Sequence, residues 1–272
     1  MNRNLFTTKH AKIEYHIYGS GKKPMLAFHG FGRHASDFKP FASKVGTDYT
    51  VYAFNLIHHG NSSFKQSRND SAPITKKELA TAIESFINEL NFHKISVCGY
   101  SLGGKIALSS VEIMHEVIDE VWLFAPDGVK VNFWYNLATN SILGRKTYRY
   151  LLESPHAIQN LMNFSTKLRL VHPRLKKFAE HNLGSDRQRE LAKTVWLTYR
   201  KLNPNMDEVK SIIVEKGIPV YQYYGKYDRV IPPDIGREFS KSIGQSQNFI
   251  ELEKGHALLD EDVMSDLPIL YK

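Results

Sequence analysis

Short apolar runs alternate with helical patterns along most of this chain. KIEYHIY (12–18), PMLAF (24–28), TVYAFN (50–55), KISVC (94–98), EVWLFA (120–125), IPVYQYY (218–224) and QNFIEL (247–252) are rich in β-branched and aromatic residues and predict strands. Nearly continuous stretches such as MLAF and VWLFA suit a sheet covered on both faces. Between them, Thr75 and Glu78 make a T-x-x-E start signal before LATAIESFINEL, whose apolar residues recur at helical spacing. Ser36 and Asp37 predict the start of a helix running to about Val45, and further helices are expected after Ser101, over 234–243 and over 257–267. Such alternation implies an α/β fold with a mostly parallel, doubly wound sheet, its site at the C-terminal ends of the strands.

The alternation stops between residues 129 and 211. That stretch is helical in pattern, with breaks expected at Gly144, Pro155, Pro173, Gly184 and Pro204, and it holds no convincing strand. The expected organisation is a core made of 1–128 and 212–272, with a helical insertion over 129–211 after the strand 120–125. Charge follows the same division. The formal net charge is +8, yet residues 130–211 carry 15 Lys and Arg against 6 Asp and Glu, a net +9, leaving −1 for the rest. A solvated helical surface explains this plainly; a field that draws in an anionic substrate is the sharper reading. No helix-turn-helix, zinc or RNA-binding signature accompanies it, so no nucleic-acid partner is expected.

A length of 272 residues suits one generous domain with an insertion. Cys98 is the only cysteine, which rules out an internal disulfide and a cysteine-built metal cage. MNRNLFTTKHAKIEYHIYG has no apolar run after its basic residues, and no stretch reaches 18 apolar residues, so a cytoplasmic protein without a membrane span is expected.

One stretch, VCGYSLGGKIAL (97–108), admits two chemistries. Gly99, Gly104 and Lys105 match the G-x-x-x-x-G-K skeleton of a phosphate loop; Gly99, Ser101 and Gly103 match G-x-S-x-G, the turn that presents a nucleophilic serine. A phosphate loop needs a hydroxyl directly after its lysine to ligate magnesium, and Ile106 stands there. The serine turn needs small flanking residues, an acid at the end of a later strand and a histidine after the strand beyond that. Gly99, Gly103 and Gly104 meet the first need; Asp228 follows IPVYQYYGKY, and His256 follows QNFIELEKG.

H-G-F-G at 29–32, G-Y-S-L-G at 99–103, G-K-Y-D-R-V-I-P at 225–232 and G-H at 255–256 together resemble the α/β-hydrolase superfamily, in its serine-nucleophile branch. The resemblance runs over most of the chain. It implies an α/β-hydrolase fold with a helical cap inserted after the sixth strand. It makes Ser101 the nucleophile, His256 the base and Asp228 the acid that orients it, with Asp127 in FAPDG as the rival acid or a hinge into the cap. The backbone N–H groups of Phe31 and Leu102 would form the oxyanion hole, supported by His29, Gly30, Gly99 and Gly103. One loop departs from the family pattern Asp-x-x-Gly-x-Gly-x-Ser: here it reads NLIHHGNSS, with Asn55 for the Asp and His59 taken for the first Gly.

The other histidines have plainer readings. His58 and His59 are adjacent and point apart, so no metal site is expected of them. His29 is read as a support for the oxyanion turn, and His34 as a pocket-rim or ordinary loop residue. Cys98 is read as a small buried hydrophobe. Of the aromatics in the insertion, Phe133, Trp134, Tyr135, Tyr148, Tyr150, Phe164 and Trp196, most are expected to pack its helices. The resemblance thus implies hydrolysis of a small acyl compound, most simply a carboxylic ester, with no cofactor. A carbon–carbon hydrolase or lyase acting on a carboxylated, anionic substrate, and a non-catalytic ligand receptor, are the alternatives.

Overall fold

The computed structural model describes residues 3–66, 68, 72–130, 133–154, 156–158, 160, 163 and 183–269, with Phe133 and Trp134 described by their backbone alone. Among these residues one sheet takes in nine strands: β1 (Arg3–Thr7), β2 (Ala11–Tyr18), β3 (Lys23–Phe28), β4 (Tyr49–Phe54), β5 (Ser63–Phe64), β6 (Ile95–Tyr100), β7 (Ile118–Phe124), β8 (Val220–Gly225) and β9 (Phe249–Leu252). Their order is β1-β2-β4-β3-β6-β7-β8-β9, with β5 paired to β2. From β4 to β9 every pairing is parallel, while β1 and β2 add an antiparallel edge. The central strands are buried throughout: Met25, Ala27, Val97, Cys98, Val121 and Trp122 have almost no exposure, because helices cover both faces.

The structure has two strands that the apolar pattern does not predict. β1 keeps only Phe6 inside, edge-on against Phe86, while Leu5 faces solvent; β5 is a two-residue pairing. With β5 counted, the strand before the helical insertion is the seventh in chain order.

The helices of the sheet unit are α1 (Lys39–Val45), α2 (Lys76–Glu89) and α3 (Leu102–Met114) in its first half. Thr75 caps α2 as expected, its hydroxyl accepting from the Glu78 N–H while the Glu78 carboxylate accepts from the Thr75 N–H. The start of α1 is a correction. Ser36 and Asp37 lie within a 3₁₀ turn, Ala35–Phe38, and α1 follows only at Lys39. The reason is tertiary: Asn55 Oδ1 already accepts the Ala35 N–H, and the Asp37 carboxylate reaches back to the His34 N–H.

The chain forms two compact units. The first takes in 1–67, 75–130 and 202–272; the second takes in 68–74 and 131–201. The second contains α4 (Phe133–Asn140), α5 (Ile142–Glu153) and α6 (Asp186–Tyr199). Its described core is aromatic: Tyr148 stacks on Trp196 at 5.9 Å and Tyr135 meets the same indole edge-on at 5.8 Å. Phe164, Pro155 and Pro173 lie outside the described residues, as do the side chains of Phe133 and Trp134. Gly144, expected as a break, lies inside α5; a Cβ there would fall 2.0 Å from the Leu137 carbonyl, so its smallness lets α4 and α5 cross closely. Gly184 and Pro204 do fall at helix ends, just before the cap residues Ser185 and Asn205.

The stretch 129–211, read from its helical pattern as one insertion, divides at Leu202. Helix α7 (Met206–Lys216) belongs to the first unit and packs on α3, where the buried Ser109 hydroxyl donates to the Leu202 carbonyl at 2.7 Å. Helical pattern cannot separate a helix of the insertion from one that returns to the sheet. The first unit ends with α8 (Pro233–Ser242) and a short α9 (Glu261–Ser265). No helix among the described residues is long and apolar enough to cross a membrane.

Candidate active site

Strand β6 runs buried to Tyr100, and Ser101 turns the chain into α3 at φ 50°, ψ −115°, a left-handed conformation that a serine adopts only under constraint. Sequence explains how the turn closes. A Cβ on Gly103 would lie 1.8 Å from the Phe28 carbonyl oxygen, and one on Gly99 would lie 2.4 Å from that of Gly103. Only glycine lets β6, β3 and the first turn of α3 approach this closely. The Ser101 N–H donates to Phe124 O, and its own carbonyl accepts from Gly104 and Asp127. Ser101 is thus tied to both neighbouring segments.

The loop after β9 brings the imidazole of His256 to this serine. Its Nε2 lies 3.1 Å from Ser101 Oγ, and its Nδ1 lies 2.7 Å from Asp228 Oδ2. Asp228 is buried after β8, and its Oδ1 accepts from the N–H groups of Val230 and Ile231 at 2.8 and 3.0 Å. Three donors therefore fix this carboxylate. Asp127 is engaged elsewhere: its Oδ2 lies 3.0 Å from Lys105 Nζ, and its Oδ1 accepts from the Gly128 N–H. Lys105 is itself buried on α3 beside this aspartate, so the lysine of the phosphate-loop skeleton serves as an internal ion-pair partner.

Tyr100 is a contributor that sequence reading assigned no role. Its hydroxyl donates to the His256 carbonyl at 2.9 Å, and its ring tilts against the imidazole at 5.4 Å. Burial pushes this hydroxyl far above the usual tyrosine range, so it stays a proton donor. Burial likewise raises the Cys98 thiol and keeps it unreactive.

The turn Gly30–Arg33 follows β3 and lies against the elbow, since a Cβ on Gly30 would come within 3.1 Å of Ser101 Cβ. Arg33 N–H donates to Gly30 O, with Gly32 at φ 69° in the third place of the turn, as a type II turn requires. Phe31 occupies the second place, and Leu102 is the first residue of α3, whose N–H has no intrahelical acceptor. The α3 N-terminus also directs its positive dipole end here.

Two buried histidines hold this turn in place. Leu56 N–H donates to His29 Nε2, so the His29 proton sits on Nδ1 and is donated to Gly30 O at 2.7 Å. Gly32 N–H donates to His59 Nε2, whose Nδ1 faces Ile57 O. The rings meet edge-on at 4.7 Å. Both must be neutral to accept these bonds. Burial, with the neighbouring histidine adding to it, pushes His29 well down, and burial pushes His59 down to about 4.

The loop after β4 corrects the reading of NLIHHGNSS. His58, at φ 74°, occupies the left-handed position expected of the first glycine, and His59 points inward to the turn. Asn55, in the place of an aspartate, donates from Nδ2 to Glu14 Oε2 at 2.8 Å. Asn61 N–H donates to the same oxygen, and Ser62 Oγ bridges Glu14 N–H to Asn55 O. Burial alone would raise the Glu14 carboxyl; the bonds from Asn61, Asn55 and His16 outweigh it and bring it below its ordinary value.

Among the described residues no group of three or more His, Cys, Asp or Glu is placed to hold a metal ion. Chemically, the arrangement can move a proton between a hydroxyl and an imidazole.

Comparison with known proteins agrees with the fold. The model of a hydrolase family described as serine aminopeptidase, S33, matches residues 19–262. An uncharacterized protein of Mycobacterium tuberculosis is 27% identical over 137 residues, 49% of this chain, and the match spans 38% of that protein's length. Lipase 1 of Psychrobacter immobilis is 23% identical over 242 residues, covering 88% of this chain and 73% of the lipase. A thermophilic esterase from Thermogutta terrifontis, solved with malate bound, shares the fold with a TM-score of 0.67 at 17% identity, covering 97% of this chain and 96% of the esterase. Since the family match takes in every parallel strand and the whole of the site, the chain belongs to the S33 serine aminopeptidase family of α/β hydrolases.

Proposed function

We propose that this protein is a serine hydrolase of small acyl compounds, acting on carboxylic esters through an acyl-enzyme. The reading is carried by one observation: a single imidazole bonded at 3.1 Å to the Ser101 hydroxyl and at 2.7 Å to a buried carboxylate. In this scheme His256 Nε2 takes the Ser101 proton as Oγ attacks the ester carbonyl. Asp228 keeps the other ring proton on Nδ1 and stabilises the imidazolium. The Phe31 and Leu102 N–H groups receive the developing oxyanion, each typically worth about 10²–10³ in rate. His256 then hands its proton to the departing alcohol, and a water deprotonated by the same nitrogen releases the acid and restores Ser101. Neither a metal nor a cofactor enters the scheme.

Amide hydrolysis is the second reading, favoured by the description of the matching family as a serine aminopeptidase. The same proton transfers serve an amine leaving group. The two are separated by kcat/KM on p-nitrophenyl esters of graded acyl length and on aminoacyl p-nitroanilides. Faster turnover of the esters, falling at least about 10³-fold in Ser101→Ala, is expected. Preference for the anilides would move the assignment to amides, and an undiminished Ser101→Ala would overturn both.

A further inference from the structure

In the second unit, α4 and α5 are packed with their apolar residues partly reversed. Tyr135 and Tyr148 donate hydrogen bonds to the Trp196 and Ala192 carbonyls of α6, and Leu152 is buried on the same side. At 100° per residue the opposite face of α5 carries Leu143, Lys146 and Tyr150, and Leu137 lies opposite Tyr135 on α4. Around Lys146 this face is apolar, yet Leu143 is 75% exposed, Tyr150 63% and Leu137 47%, and Ile142 at the start of α5 is 71% exposed. Scattered exposed apolar residues need no explanation; four within residues 137–150, around one helical corner, do.

The charge around this corner has one sign. From Val131 to Leu152 the chain has no Asp or Glu, while it has Arg145, Lys146 and Arg149. Arg145 bonds to the Asn140 carbonyl, which keeps its guanidinium at the corner between α4 and α5. The acids of α6 and of the end of α5 pair with bases of α6: Glu153 and Glu190 share Lys193, and Asp186 meets Arg189. A second copy of the chain docked by this corner would set these cations against their own counterparts.

We propose that the α4–α5 corner docks on an anionic lipid surface. Ile142, Leu143 and Leu137 enter the boundary between headgroups and acyl chains, Tyr150 sits at headgroup level, and the cations meet lipid phosphates. The proposal does not depend on Ser101 or on the nature of the substrate.

Cosedimentation of the full chain with vesicles tests it. The protein is expected to bind equimolar phosphatidylcholine–phosphatidylglycerol vesicles at least about tenfold better than phosphatidylcholine alone, since each cation near an anionic surface strengthens binding roughly fivefold. Added salt should release it. Leu143→Glu and Lys146→Glu, both at exposed positions, should each weaken binding several-fold while the melting temperature stays that of the wild type. Equal binding of these variants and the wild type, or binding indifferent to phosphatidylglycerol, would overturn the proposal. So would a dimer in light scattering that Leu143→Glu dissolves, which would assign this face to self-association.

Discussion

The carboxamide of Asn55 donates to Glu14 at a place where an aspartate could only repel. A carboxylate there would leave Glu14 without one of the bonds that outweigh its burial, and two buried negative charges would adjoin. Asn55→Asp is therefore expected to destabilise the protein by about 1–3 kcal/mol at neutral pH. The deficit in melting temperature should shrink on acidification, because protonating either carboxyl restores a donor; a deficit that grows would contradict this. His59 has the opposite sign. Its folded pKa is lowered from 6.5 to about 4, so the unfolded chain binds more protons in that window. Stability is present above about 6.5 and lost as pH falls toward 4, by about 3 kcal/mol for this residue. In His59→Gln, melting temperature against pH should flatten over this window, retaining the part due to His29; an unchanged slope would count against a buried neutral His59. Sequence could not show either arrangement. The first depends on the loop at 55–62 meeting β2, the second on that loop meeting the turn at 29–33.

At the scale of elements, the strand–turn–helix at 95–114 is where sequence spoke most plainly. Continuous apolar strands, a glycine pair and a buried helix leave few alternatives when both sheet faces are covered. The crowding at Gly103 is backbone against backbone, so Gly103→Ala is expected to lower stability by more than about 2 kcal/mol. Gly217, at φ 65° after α7 with nothing within 4 Å of a Cβ, is the control: Gly217→Ala should cost only about 1 kcal/mol. Denaturant unfolding of the two variants checks the ranking; equal losses would mean that the elbow is not under close-approach constraint. Elements were least legible where neighbours, not local residues, decide. β1 sits at an edge with Leu5 outward, Ser36 lost its cap role to His34 and Asp37, and Gly144 serves a helix crossing where a break was expected.

At the scale of the molecule, the order Ser, Asp, His along the chain was readable from the strand pattern, since each follows a strand of the parallel sheet. The choice between Asp127 and Asp228 was harder, because both follow such strands, β7 and β8. What separates them is the partner each carboxylate meets: Lys105 for one, His256 for the other. The limits of the second unit were legible only in part, as the helix 206–216 has the same periodicity whether it joins the insertion or the sheet. The central claim is that Ser101, brought beside His256 from a position 155 residues away, is activated. Intact-protein mass after exposure to a fluorophosphonate tests this most directly. One adduct is expected on the wild type, none on Ser101→Ala, and markedly slowed labelling of His256→Asn; an unlabelled wild type, or an equally labelled Ser101→Ala, would contradict it.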